Sequence, residues 1–319
     1  MDKLHENLIQ LKDEWEKFKS NPDNRKIRIR DAAFKLGVSE AELLSAEIDN
    51  ESTFYLKVDS ALIFLKSLLD IDRIMLLIRN DYVVHEKTVD CQDIDFDIDF
   101  IYFKNKNKDI LLKFTIESIS HIFFQKKMHA GKELRSFQLF NDNGNSILKI
   151  YLKGKSKNRF DKIANDYKAE YKYELQQLEG RVSNSNIKVK IPLINDSSYS
   201  KEAVRLEGSI LRRLLNKASD DKSPMQIHAI GLNSIQYHRD IVKNIVDYGP
   251  WINVIDKNFN VHILENELSQ CILFKYNQNN KEIYSIEFFD SNSNHLLGIC
   301  SLNDYELEFN HMLNELGVL

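Results

Sequence analysis

The 319-residue chain sets 44 Lys and Arg against 48 Asp and Glu, for a formal charge of −4, and is 43% apolar and 10% aromatic. Such a composition can bury the core of one large or two medium domains, which argues against disorder. The acidic balance argues against a general polyanion binder. Charges run through the N-terminal MDKLHENLIQLKDEWEKFK, so no signal peptide is expected. Stretches such as IMLLI (74–78) are too short to span a bilayer, so no membrane insertion is expected. Cys91, Cys271 and Cys300 form no CxxC pair and are read as reduced thiols, not as a metal site.

In chain order, Leu4, Leu8, Leu11, Trp15 and Phe18 recur at helical spacing and predict an amphipathic helix, broken at Asn21-Pro22. In RIRDAAFKLGVSEAELLSAE, Gly37 closes one short helix and Ser39 caps another, with Glu42 completing a capping box. The pair resembles a helix-turn-helix. Its second helix is acidic where DNA readout needs Lys, Arg or polar side chains, so a helical cap on a sheet is expected and no nucleic acid. Residues 73–152 read as short strands rich in β-branched and aromatic residues, with NDNGN (141–145) as a hairpin turn. A helix is expected from Phe160 to Glu179, then a polar linker carrying Pro192. The plan then recurs: a helix over 203–219, strands from Met225 to Ser301, and a final helix after Asn303.

The recurrence is an internal repeat. Residues 135–152 (RSFQLFNDNGNSILKIYL) align with 284–301 (YSIEFFDSNSNHLLGICS), and NDYVVHEK (80–87) with NSIQYHRD (233–240). The expected domains are a first repeat with its helical cap over 1–180, a linker over 181–198, and a second repeat over 199–319.

RIRDAAFKLGVSEAELLSA, LIRNDYVVHEK, SFQLFNDNGNSILKIYL, GPWINVIDKNFNVHI and SIEFFDSNSN follow one another in an order that resembles the HemS/ChuS/HmuS-type heme-utilisation proteins. The resemblance covers about residues 10–315. It implies an α+β fold of two pseudo-symmetric tandem repeats, each an antiparallel β-sheet backed by helices. It also implies a cytoplasmic, heme-binding protein for heme trafficking or storage in iron acquisition. Some members degrade heme instead, which leaves enzymatic activity open. Heme is the implied cofactor and an inner-membrane heme importer the implied partner, with the chain a monomer or homodimer.

Heme iron takes an axial donor, most often a neutral imidazole. Among nine histidines, His262 in FNVHI occupies a family position. By strand alternation it points away from Val261 and Ile263, either toward heme iron or as an ordinary polar residue of a half-buried sheet. His238 matches a family histidine and repeats His85, which suggests a structural role. His228 lies two residues from a ligand position of ChuX-type relatives, on the same sheet face. Lys113, the repeat partner of His262, stands where the family's DLRxF arginine faces the iron; it keeps the charge without the guanidinium fork. The expected cofactor contacts are therefore His262, Lys113, His238 and His228, with His262 on the metal.

Other positions depart from the family. Its DVHxFF histidine has no counterpart, and Ile299, Ser301 and Asp304 replace a Gln, an aromatic and an Arg. The competing expectation is a scaffold that has lost heme and binds another planar ligand or a protein partner. No P-loop, GxGxxG, HExxH or GxSxG motif is present.

Overall fold

The computed structural model describes residues 3–24, 27–169, 202–206, 210–278 and 281–319. The first half carries α1 (Lys3–Ser20), α2 (Ile29–Leu36), α3 (Glu40–Ser45), β1 (Thr53–Leu56), α4 (Ala61–Ser67), β2 (Arg73–Arg79), β3 (Val83–Asp90), β4 (Ile94–Asp97), β5 (Phe100–Phe103) and β6 (Ile110–Phe114). It continues through β7 (His121–His129), β8 (Lys132–Phe140), β9 (Ser146–Leu152) and α5 (Lys157–Asp166). The second half carries β10 (Glu202–Leu206), α6 (Ile210–Asp221), β11 (Met225–Gly231), β12 (Ser234–Asp240), β13 (Ile245–Tyr248), β14 (Trp251–Asp256) and β15 (Phe259–Leu264). It ends with β16 (Gln270–Gln278), β17 (Lys281–Phe289), β18 (His295–Ser301) and α7 (Glu306–Glu315). The linker expected over 181–198 lies outside the described residues. The helix expected from Phe160 to Glu179 is corrected: α5 ends at Asp166, and the next residues leave the helix to bridge β1 through Leu56 and Lys168, the backbone groups of Tyr167 and Ala169 bonding to Lys57 and Tyr55.

Two compact units form, and they do not follow the order of the two repeats. The first comprises Met1–Leu76, Val89–Asp99 and Thr115–Ser183; the second comprises Leu77–Thr88, Phe100–Phe114 and Asn184–Leu319. Two segments of the first half therefore belong to the second unit.

In the first unit the helical cap forms as its signals predict. Gly37 takes the left-handed conformation (φ 77°) that ends α2. Ser39 accepts from the Glu42 N–H at 3.1 Å, while the Ser39 N–H donates to Glu42 Oε2 at 2.7 Å. Leu11, Trp15, Ala32, Ala33, Leu43 and Ala46 pack together inside the cap. The next face of α3 sets Ala41 and Leu44 against Phe123 and Phe140. Glu40 is buried as well, ion-paired to Lys149 Nζ at 2.6 Å. A helix buried in this way leaves no face for a DNA groove. The strands run in the order β1-β7-β8-β9-β2. Alternation turns Phe123 toward the cap and the adjacent Phe124 to the opposite face. There Phe124 meets Phe137, which stacks on Phe160 of α5 at 4.3 Å between ring centroids.

The second unit carries two antiparallel strand runs, β3-β15-β14-β13 and β10-β16-β17-β18-β11-β12-β6-β5. Strands of the first half enter both: β3 pairs with β15, and β6 with β12. Leu211, Leu214, Leu215 and Ala218 of α6 and Phe309, Met312 and Leu313 of α7 are buried, as are Ile286, Phe288, Leu297 and Ile299 of the sheet. The helix expected over 203–219 is corrected at its start. Residues 202–206 form β10, paired along its length with β16, and α6 begins only at Ile210. The ladder to β16 overrides the helix-forming Ala, Arg and Leu of that stretch.

Candidate functional site

His262 lies in β15, the third strand of the β13-β14-β15-β3 run. Its neighbours Val261 and Ile263 are buried at 0% and 1% exposure, while His262 is half-buried on the opposite face. The register lines up Val246, Asn253, His262 and Val84 across four strands. The flanking rows are Tyr248, Trp251 and Leu264 on one side and Ile255, Asn260 and Glu86 on the other. Tyr248, Val246 and Ile255 are exposed large side chains, at 75%, 50% and 41%. The result is a largely apolar face, exposed at Val246, Tyr248 and Ile255 and buried at Asn253 and Val84, with one half-buried imidazole in its central row.

The β13–β14 connection that shapes this face is the two-residue turn Gly249-Pro250. Gly249 supplies the positive φ (58°) and Pro250 the restricted one, so Tyr248 and Trp251 stand side by side across the hairpin.

The orientation of His262 is fixed through a neighbouring amide. Asn253 Nδ2 donates to the carbonyls of Val246 (3.0 Å) and Trp251 (3.3 Å), so Asn253 Oδ1 must face the other way. That oxygen lies 2.6 Å from His262 Nδ1. An acceptor at that distance requires the proton on Nδ1, which makes Nε2 the basic nitrogen of the ring. A metal-ligating histidine needs the same arrangement: one nitrogen oriented by a hydrogen bond, the other carrying the lone pair.

The four expected contacts do not come together. His238 is corrected to a core residue. It is 3% exposed, its ring stacks on Phe259 at 3.6 Å and 4°, and Lys87 Nζ donates to its Nδ1 at 2.9 Å. Burial, then the nearby Lys87 charge, push its pKa down. Its repeat partner His85 lies 5.0 Å from the same Phe259 ring, and burial with the Lys87 charge lowers it to about 3. Both histidines of the repeated position are thus buried against Phe259.

Lys113 and His228 do share a face, but on the other strand run. Lys113 pairs with Ile235, and Tyr237, two residues on, pairs with His228. Lys113 Nζ lies 5.6 Å from the Phe100 ring centroid. Arg239, next on that side of β12, sits 4.8 Å over the Tyr237 ring and donates to Gln226 Oε1 and the Ile110 carbonyl. His228 is 1% exposed, 3.2 Å from the buried carboxylate of Glu287. It has no open edge for a macrocycle and is corrected to a buried ion-pair partner. Burial alone would lower His228, but Glu287 raises it to about 10; Glu287 itself is held at about 2 against its burial by His228 and His295. Of the replaced family positions, Ile299 is fully buried in the core and Ser301 nearly so.

Asn253, Tyr248 and Trp251 were missed as site residues. The family block GPWINV contains two of them, and alternation along β14 puts Trp251 and Asn253 on one face. Only the cross-strand register joins them to His262.

Two family descriptions match separate parts of the chain: "Haem utilisation ChuX/HutX" over residues 55–169 and "Haemin-degrading HemS.ChuX domain" over residues 194–315. A curated relative, the hemin transport protein HemS of Yersinia enterocolitica, is 20% identical over 303 residues, covering 84% of this chain and 85% of its own. Among solved structures, the heme-degrading enzyme ChuS of Escherichia coli O157:H7 superposes with a TM-score of 0.81 at 16% identity, covering 97% of this chain and 99% of its own. Heme-bound PhuS, a heme-binding protein from Pseudomonas aeruginosa, gives 0.78 at 18% identity, covering 95% and 97%. Both superpositions span the two repeats.

Proposed function

We propose, from the premise that this chain belongs to the two-repeat HemS/ChuS type of heme-utilisation proteins, that it binds heme on the β13-β14-β15-β3 face with His262 Nε2 as axial donor. The single observation that carries this reading is the Asn253–His262 pair, in which the amide oxygen fixes the ring tautomer with its proton on Nδ1. Heme, when bound, supplies the iron and its redox chemistry. Val246, Tyr248, Trp251 and Ile255 offer apolar and aromatic surface to one side of the macrocycle. Asn253 holds the imidazole in the ligating tautomer.

The family's DVHxFF histidine and DLRxF arginine, which the degrading members carry, have no counterpart here, Lys113 standing for the arginine. We therefore place trafficking or storage ahead of heme degradation. The setting that goes with this reading is the cytoplasm, with an inner-membrane heme importer as donor. No helix among the described residues is long and apolar enough to cross a membrane.

Hemin titration followed by absorbance tests the reading. A saturable Soret band at one heme per chain is expected, weakened at least about tenfold in His262→Ala through loss of the oriented ligand. Lys113→Ala should leave it unchanged. Loss of the band in Lys113→Ala but not in His262→Ala would move heme to the other strand run. No specific band with the wild-type chain would favour the second reading, a scaffold that has lost heme, which the replacements at Ile299, Ser301 and Asp304 support.

A further inference from the structure

The buried group formed by β11, β18 and β17 of the second unit is not used by the heme face. In register across these strands stand His228, Gly298 and Glu287. A Cβ on Gly298 would overlap Glu287 Oε2 and His228 Cε1, so the two flanking side chains occupy the space a side chain would fill. His295 enters from the start of β18, beside the β-bulge at Phe288/Phe289, and its Nε2 lies 2.7 Å from the same Glu287 Oε2. One donor atom from each of the three residues lies within 4.8 Å of the others. His228 Nε2 lies 3.2 Å from Glu287 Oε2, within ion-pair distance, so both imidazoles converge on the same carboxylate oxygen. Ser285 donates to the other carboxylate oxygen of Glu287 and fixes its orientation.

The first repeat shows what these positions hold when nothing has to be bound. Gln138, Ser146 and Lys149 align with Glu287, His295 and Gly298. There Gln138 donates to Gln125 Oε1 at 3.1 Å, and the Lys149 ammonium supplies the positive charge, buried against Glu40. In the second repeat the lysine is replaced by glycine. A carboxylate replaces the amide, and two imidazoles, His228 and His295, gather around it, so three potential metal donors stand where the first repeat has an amide, a serine and a lysine.

We propose that His228, Glu287 and His295 form a binding site for a divalent first-row transition metal, distinct from the heme face. Two imidazoles and one carboxylate are a donor set suited to Zn²⁺ or Fe²⁺, with a fourth position left for water. The proposal does not rest on the heme reading.

The test is titration of the heme-free full-length chain with Co²⁺ and Zn²⁺, followed by cobalt absorption bands and calorimetry. The expected result is one ion per chain, with Co²⁺ displaced by Zn²⁺. His295→Ala, at a position that is partly accessible, and Glu287→Gln, which copies the first repeat, should fold and bind about 100-fold more weakly or worse. His262→Ala should bind metal normally. Absence of saturable binding by the wild-type chain, or binding unchanged in both variants, overturns the proposal. Since no heme is present, either result leaves the hemin titration to stand or fall separately.

Discussion

At the scale of single residues, His262 depends on an amide that touches no ligand. Asn253 is 7% exposed, and its two donated hydrogen bonds to backbone carbonyls leave only the oxygen for the imidazole. Asn253→Leu keeps the volume and removes the acceptor, freeing the ring to rotate and to change tautomer. Hemin affinity, measured by absorbance titration, should fall about tenfold with the fold intact. The outward direction of His262 was legible in the sequence because alternation with Val261 and Ile263 requires it. Asn253 was not, since its relation to His262 exists only through the β14–β15 register. The same limit hid the His228–Glu287–His295 group. His228 lies far in sequence from Glu287 and His295, and the three meet because Gly298, on the strand between His228 and Glu287, leaves room.

At the scale of elements, local signals were read well where the local chain decides the outcome. Gly37, Ser39 and Glu42 cap their helices as their residue types demand. The Asn-Gly turn at 141–145 places Gly144 at φ 67°. Ser39→Ala removes the acceptor for the Glu42 N–H and should cost about 1 kcal/mol in chemical denaturation. A Ser39→Asp replacement, which can still accept, should recover most of that loss. Reading failed where a partner strand decides. Residues 202–206 carry good helix formers, yet pair with β16, because the exposed edge of that strand offers hydrogen-bond partners to the inward-facing backbone groups of the stretch. The acidic α3, weighed as a recognition helix, is instead packed by its apolar residues onto Phe123 and Phe140.

At the scale of the whole molecule, duplication was visible in the sequence, but the exchange of strands was not. Each repeat taken alone suggests its own sheet. The second unit nevertheless takes β3 and β6 from the first half, through pairings with β15 and β12 that no single repeat encodes. That unit also buries two neutral histidines, with consequences for stability. His85 is lowered to about 3 and His238 is lowered too, so between about pH 6.5 and pH 3 the unfolded chain binds more protons than the folded one. Stability should therefore fall as the pH drops from 7 to 5, by about 2 kcal/mol for each fully buried histidine, read from urea midpoints. His238→Gln should make that drop smaller.

The central claim, an iron bond from a ring nitrogen of β15, is tested most directly by resonance Raman spectroscopy of the reduced heme complex. The account predicts an iron–histidine stretching band in the wild-type chain. It should be absent in His262→Ala and restored when free imidazole is added to that variant. An unchanged iron–histidine band in His262→Ala would contradict the account and assign the axial bond to a different histidine.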